Sequence, residues 1–225
     1  MLNANRNAKC ALSLLFVLIA LASSPAQQSV YIDPANKNDP SENGMLDHPF
    51  DSWNDVRFVN GRSYLQKCGT IDTIRAIEYN ADNITFGSYG SGAKPKIYCQ
   101  TKSGEHAFKG YSRDNITFRN LEIYTNGNGV SCLYFNANCS GGVVDSCILH
   151  SASWGIRITS GGNRNHLIQN TEIYNIKDDG IFVQDATDIE IANCYIHHVN
   201  QNWQPPNTPE SSAAGDGIQF DRTTD

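Results

Sequence analysis

The chain has little charge and no long run of it: 18% of its 225 residues are Asp, Glu, Lys or Arg, and the formal net charge is -6. Without a Lys/Arg stripe or a positive balance it lacks the electrostatic footprint of a nucleic-acid binder, so nucleic acid is not an expected partner. Its longest apolar core, Ala11 to Ala22, is too short to span the ~30 Å of hydrocarbon in a bilayer, so no stable membrane insertion is expected. Cys-x-x-Cys pairs are missing, which removes a zinc ribbon. Amphipathic helical spacing is confined to Ser52 to Val59, where Trp53, Val56 and Phe58 fit one or two turns. What remains, with 18 glycines, is a turn-rich folded chain of a length that all-β architectures often fill as a single domain.

Residues 1 to 26 read as a secretory leader. Arg6 and Lys9 make a positive head, Ala11 to Ala22 an apolar core, and Ser24-Pro25-Ala26 a small-residue cleavage site. The mature chain is therefore expected to be secreted, periplasmic or extracellular. Loss of the leader removes Cys10 and leaves Cys68, Cys99, Cys132, Cys139, Cys147 and Cys194. An even number in an exported chain permits disulfides without selecting a pairing, whereas buried thiols filling a core are the alternative. Cys147 and Cys194 share a column of the repeat described next but stand two coils apart, roughly 9 to 10 Å, which favours packing over a bond between them.

From Val143 to Asp221 one pattern is written three times: an apolar strand, an Asn or Ser, a second short strand, a loop, and Gly-Ile opening a third strand. The openings are Gly155-Ile156-Arg157-Ile158-Thr159, Gly180-Ile181-Phe182-Val183-Gln184 and Gly217-Ile218-Gln219-Phe220-Asp221, with glycines 25 and then 37 residues apart. Periods in this range are the mark of a solenoid. Asn120, Ser146, Asn170 and Asn193 form a second column spaced by 26, 24 and 23 residues. Asn tolerates the left-handed conformation of a tight bend, and its amide both donates and accepts, so stacked copies can bond along the coil axis. Asn83-Ile84-Thr85-Phe86 and Asn115-Ile116-Thr117-Phe118 repeat a strand opening, so the coils are expected from Asn83 to the end. Residues 27 to 82, with the strand Val30-Tyr31-Ile32, a possible strand from Gly61 to Gly69 and the short helical stretch, are expected to cap the lower end, because an open coil exposes apolar core.

This arrangement resembles the right-handed parallel β-helix of the pectate lyase-like superfamily, three short strands per coil with an asparagine ladder at one turn. The opening Tyr31-Ile32-Asp33-Pro34, with Tyr89-Gly90-Ser91-Gly92-Ala93-Lys94-Pro95, is similar to exported bacterial members. The resemblance implies an all-β, right-handed parallel β-helix solenoid, a monomer, acting on an acidic, uronate-containing polysaccharide. Since Asp225 follows a third-strand opening with no closing cap, further coils are expected beyond it.

Strand alternation turns Ile156, Ile158, Ile181, Val183, Ile218 and Phe220 inward and leaves Arg157, Phe182 and Gln219, with Thr159, Gln184 and Asp221, as outward columns. Rings stack on Phe, and Gln and Arg bond hydroxyls or carboxylates, although the same mixture suits a plain solvated face. The loops before this sheet carry Trp154 and, in the insertion between His198 and Asp216, Trp203; Trp154, Phe182 and Trp203 are the candidate sugar platforms, and Gln184 and Gln219 further binding residues. Asp178, Asp179 and Asp216 precede the Gly-Ile strands as turn residues, and stacked carboxylates repel unless a proton or a cation such as Ca²⁺ intervenes. In calcium-dependent lyases of the resembling superfamily the ion neutralises a uronate carboxylate and a Lys or Arg removes the neighbouring carbon-bound proton. That implies Asp178, Asp179 and Asp216 as metal ligands, Arg157 on the substrate carboxylate and Lys177 as base, unless Lys177 is only an ion-pair partner. Two other readings stay open. One is a glycoside hydrolase using paired Asp residues, although the Gly-His-Gly and Arg-Ile-Lys signatures of polygalacturonase-like members are absent; the other is a carbohydrate-binding adhesin without a base. His150 and His197 share a column beside Tyr124 and Tyr174, where stacking is favoured over metal binding.

Overall fold

The computed structural model describes residues 28–127, 130–199 and 215–222. Residues 1–27, which include the expected leader, and Trp203 with most of the insertion around it lie outside the described residues. Three parallel sheets run side by side along one axis, and the chain passes from the first to the second to the third before climbing one coil.

The first sheet stacks Gln28–Ile32, Arg62–Lys67, Ile84–Tyr89, Ile116–Arg119, Val143–Asp145, Asn163–Gln169 and Ala186–Ala192. Its successor stacks Ile71–Ile74, Lys96–Cys99, Glu122–Thr125, Ile148–His150, Glu172–Ile176 and Tyr195–Val199. The third stacks Ile77–Tyr79, Phe108–Tyr111, Ser131–Asn136, Trp154–Thr159, Ile181–Gln184 and Ile218–Asp221. Among the described residues every strand pairing is parallel, as a solenoid of this kind requires.

The core is a set of apolar columns, one residue per coil. Ile97, Ile123, Leu149, Ile173 and Ile196 align in the second sheet, and Phe108, Leu133, Ile156, Ile181 and Ile218 in the third. Ile156, Ile158, Ile181 and Val183 are fully enclosed, so the alternation expected for the Gly-Ile strands holds. Enclosure falls away in the last described strand, where Ile218 and Phe220 are 40% and 51% exposed. Lower down the axis becomes aromatic: Phe86 stacks on Phe118 with centroids 4.6 Å apart, and both touch Phe108.

Three differences from the sequence expectation have simple causes. Stacking begins before Asn83, because Arg62–Lys67, Ile71–Ile74 and Ile77–Tyr79 already complete a coil. The apolar pattern hides this coil because Gln66 points inward, wholly buried, accepting a 2.6 Å hydrogen bond from the Trp53 indole and donating to Thr70. The helical stretch is only a 3-10 turn, Trp53–Asp55, capped by the Ser52 side chain. Its Trp53 packs on Phe86 and Phe108, and Phe58 on Tyr64 and Phe86, which covers aromatic core at this end. In the turn column Asn120, Ser146, Asn170 and Asn193 all have φ between 50° and 54°, the left-handed bend that favours Asn. Their amides reach the coil below but find partners other than Asn: Asn120 donates to Ser88 Oγ at 2.6 Å and Asn170 to Asp145 Oδ1 at 3.0 Å. The six cysteines are free thiols, with Cys99, Cys132, Cys139 and Cys147 buried.

Two of the Gly-Ile openings, at Gly155 and Gly180, have a steric reason that the pattern alone does not disclose. A Cβ on Gly155 would sit 2.5 Å from the carbonyl oxygen of Gly180 and 2.5 Å from Ile173 Cγ2; on Gly180 it would meet Gly217 O and Ile196 Cγ2 at the same distances. Backbone oxygen in the next coil cannot move aside. Gly155→Ala is therefore expected to lower stability by about 1–3 kcal/mol, the usual cost of overpacking, measured as the shift in urea midpoint. An unchanged midpoint would mean that the coils can separate freely at this seam.

Candidate functional site

The outer face of the third sheet carries one continuous row of side chains. Register places Glu78 beside Lys109, Lys109 beside Tyr134, Tyr134 beside Arg157, Arg157 beside Phe182 and Phe182 beside Gln219. Each comes from a different coil, and the strands hold them at the parallel spacing of about 4.8 Å.

Arg157 is the centre of this row. Its guanidinium carbon lies 5.2 Å from the Tyr134 ring centroid and 4.8 Å from that of Trp154. Two aromatic faces thus hold one cation, an arrangement that orients the guanidinium plane without consuming its donors. Arg157 Nε is buried with no hydrogen-bond partner among the described residues. Trp154 continues the surface toward Phe182, with centroids 6.2 Å apart. On the other side of Tyr134 stands His106, its ring 4.3 Å away and its Nδ1 2.6 Å from Ser131 Oγ. Burial, reinforced by the Arg157 and Lys109 charges, pushes the His106 imidazole down to about 4, so it is neutral near pH 7. Lys109 reaches Glu78 at 3.7 Å.

The acidic residues divide. Asp179 is 2% exposed and fully engaged: Oδ2 accepts the Trp154 indole N–H at 3.0 Å and Oδ1 the Asp216 backbone N–H at 2.8 Å. It fixes Trp154 and ties together three successive coils. Asp178 is half-buried, and its carboxyl is raised by burial and by the Asp179 charge, with Arg157 pulling the other way. Asp216 is exposed. As a calcium site the three do not fit. Among the described residues the one acidic trio whose ligand atoms lie within 4.8 Å of one another is Glu42, Asp51 and Asp55, at the other end of the chain. Asp178, Asp179 and Asp216 do not bring three ligand atoms that close together.

Lys177 does not join Arg157. Its ammonium bonds the carbonyl of Gly127 and lines a cavity with Tyr124, His150 and Asn175, and burial lowers its pKa. That side of the molecule carries a stack of rings, Tyr98, Tyr124, His150, Tyr174 and His197, with centroids 4.7–5.3 Å apart. Nε2 of His150 faces Glu122 at 3.3 Å and that of His197 faces Glu172 at 3.1 Å, so the histidines are satisfied by stacking and carboxylates. Gln184 donates to Asp221 Oδ2 at 2.8 Å, which draws it into a contact within the sheet, beside the row that holds Gln219.

The structure thus gathers Arg157, Trp154, Phe182, Asp178 and Asp179 and sets Lys177 apart. It adds His106, Lys109 and Tyr134, which the Gly-Ile pattern passes over. Lys109 and Tyr134 sit on Phe108–Tyr111 and Ser131–Asn136, and His106 just before the first; these strands lack the opening glycine, yet the inward Phe108 and Leu133 in register with Ile156 mark the same frame.

Three parallel sheets, apolar columns inside and a charged aromatic row outside define a parallel β-helix with a solvent-facing platform. The chain belongs to the right handed beta helix region family, whose pattern matches residues 79–224. Among solved structures it is similar to the native GH136 lacto-N-biosidase from Eubacterium ramulus, with a TM-score of 0.55, 15% identity and coverage of 87% of this chain and 41% of that one. It is also similar to pectate lyase Pel9A, at TM-score 0.53, 18% identity and coverage of 88% and 59%. At such identities the likeness is one of fold, and the chain spans roughly half the length of either protein. Among curated proteins none matches it.

Proposed function

We propose that the protein is an exported, carbohydrate-active β-helix that binds an acidic, uronate-containing polysaccharide along the outer face of its third sheet and cleaves it by β-elimination. One observation carries the reading: the Arg157 guanidinium is clamped between Tyr134 and Trp154, with Phe182 extending the aromatic surface. Aromatic faces accept sugar rings, and a clamped guanidinium offers paired donors to a carboxylate. Two solved proteins of like fold are a lacto-N-biosidase and a pectate lyase, so this scaffold hosts carbohydrate chemistry elsewhere, although fold by itself does not transfer activity. Export rests on the leader 1–26.

In this reading Arg157 neutralises the uronate carboxylate, which acidifies the proton on the adjacent carbon. Lys177 bonds the carbonyl of Gly127 and lines a cavity with Tyr124 and His150, which favours another base. His106 shares the platform and is neutral, so it is able to accept a proton; a bound carboxylate that offsets the Arg157 charge raises its basicity. A second reading has its own support. The raised Asp178 carboxyl is the type of group that serves as a general acid in glycoside hydrolysis.

Products decide between them. With pectate, alginate and glycosaminoglycan as substrates, growth of ultraviolet absorbance from an unsaturated product is the expected result. New reducing ends without that absorbance would replace elimination by hydrolysis. Binding with neither product would leave a carbohydrate-binding solenoid, and no binding at all sinks the carbohydrate reading.

A further inference from the structure

The platform does not stop at His106. Below it, a cavity lined by Glu78, Glu105, His106 and Lys109 shares Ala76, Ile77 and Glu78 with a larger one of about 640 Å³. The larger cavity lies where the 3-10 turn meets the lowest strand of the third sheet, and its lining includes Trp53, Val56, Arg57, Phe58, Arg75 and Glu78. Its volume falls within the range of small-molecule sites, roughly 300–1,000 Å³.

Its composition is that of a sugar-acid site: apolar and aromatic groups behind, and two guanidiniums at the wall. Both arginine side chains are exposed. Glu78, the acid in the wall, is turned to Lys109, so among the described residues Arg57 and Arg75 have no ion-pair partner. Cations therefore recur along the face, at Arg57 and Arg75, at Lys109 and at Arg157. From Ile77–Tyr79 to Trp154–Thr159 there are three strand steps, about 14 Å at the usual parallel spacing. A single sugar ring cannot bridge that distance, but a polymer with a carboxylate on each residue can.

We propose that the cavity formed by Arg57, Arg75 and the 3-10 turn is a distal subsite for a carboxylate-bearing sugar of the same chain that occupies Arg157. This rests on the acidic-polysaccharide reading above and deepens it. The ligand is a polyanion several residues long, and its affinity grows with length until both ends of the face are occupied. Two charge-assisted contacts at the distal end are enough for roughly a tenfold gain.

The test is calorimetric titration of the full chain with sized oligogalacturonates and oligomannuronates, from trimer to octamer, at low ionic strength. The unaltered protein should bind the longer oligomers about tenfold more tightly than the trimer. In Arg57→Ala/Arg75→Ala that gain should vanish while trimer binding stays unchanged, and Arg57→Lys/Arg75→Lys should restore part of it. Both arginines are exposed, so the fold should survive, and a circular dichroism spectrum checks this. If the longer oligomers bind the double variant as tightly as the parent, the distal subsite is wrong and the reading at Arg157 stands. If the unaltered protein binds no oligomer of either series, the functional reading fails and the subsite with it.

Discussion

Arg157→Ala should weaken binding of an acidic oligosaccharide by about ten- to a hundredfold while leaving folding stability within about 1 kcal/mol of the parent. The affinity figure follows from losing charge-assisted hydrogen bonds, worth about 1.5–3 kcal/mol each way of counting, at 1.4 kcal/mol per factor of ten. The stability figure follows from two opposing terms. Contacts with Tyr134 and Trp154 are lost, each cation–π contact being worth about 0.5–1 kcal/mol at a partly exposed position. In return a buried Nε donor without a partner disappears, and such a group costs about 1–3 kcal/mol. Arg157→Lys keeps the charge but not the plane that fits between two rings, so it should recover only part of the affinity. Asp178 supplies a second readout. Arg157 lowers its carboxyl pKa against burial and Asp179, so removing the guanidinium should raise the apparent pKa of Asp178 in a carboxyl-labelled NMR titration. Titration calorimetry and urea unfolding on the same variant are sufficient, and undiminished affinity in Arg157→Ala would move the binding site off this face.

Repetition made the fold readable, and single contacts between coils made the site hard to read. A column of Ile or Val at fixed spacing has one explanation, and Ile156, Ile158, Ile181 and Val183 are buried as alternation requires. Arg157 and Phe182 face outward by the same rule and meet Trp154 there. Gln66 escaped because a polar residue can be inward when an indole N–H from outside the strand satisfies it. Lys177 and Asp178 are neighbours in sequence, but a flexible four-carbon stem is free to turn away, and here it reaches Gly127. His106 comes from a coil with no Gly-Ile opening, and only the pairing of Phe108 with Leu133 brings it beside Tyr134. Carboxylates adjacent in the pattern suggest a shared cation site. Asp179 instead takes one N–H donor on each oxygen, and no local sequence feature reports which donor a side chain will find.

That use of Asp179 joins fold and site in one residue, and it makes the last expected result the most diagnostic. Its carboxylate is 2% exposed, and holds the Trp154 indole with one oxygen and the Asp216 amide with the other. Asp179→Ala leaves both donors without an acceptor. A lost hydrogen bond to a charged group costs about 1.5–3 kcal/mol, and release from a buried charge offsets part of the sum, so a net loss of about 2 kcal/mol is expected in urea unfolding. Trp154 would no longer be fixed against Arg157, and binding should fall as well, by less than in Arg157→Ala because the guanidinium itself remains. Indole fluorescence should shift to longer wavelength as the Trp154 N–H turns to water. Asp179→Asn discriminates charge from geometry: it preserves shape and one acceptor oxygen but presents an NH₂ to a donor, so it should recover little of the stability. The two arms must move together if Asp179 acts by seating Trp154. A variant that lost affinity at full stability, with unchanged fluorescence, would instead put the Asp179 carboxylate itself in contact with the ligand.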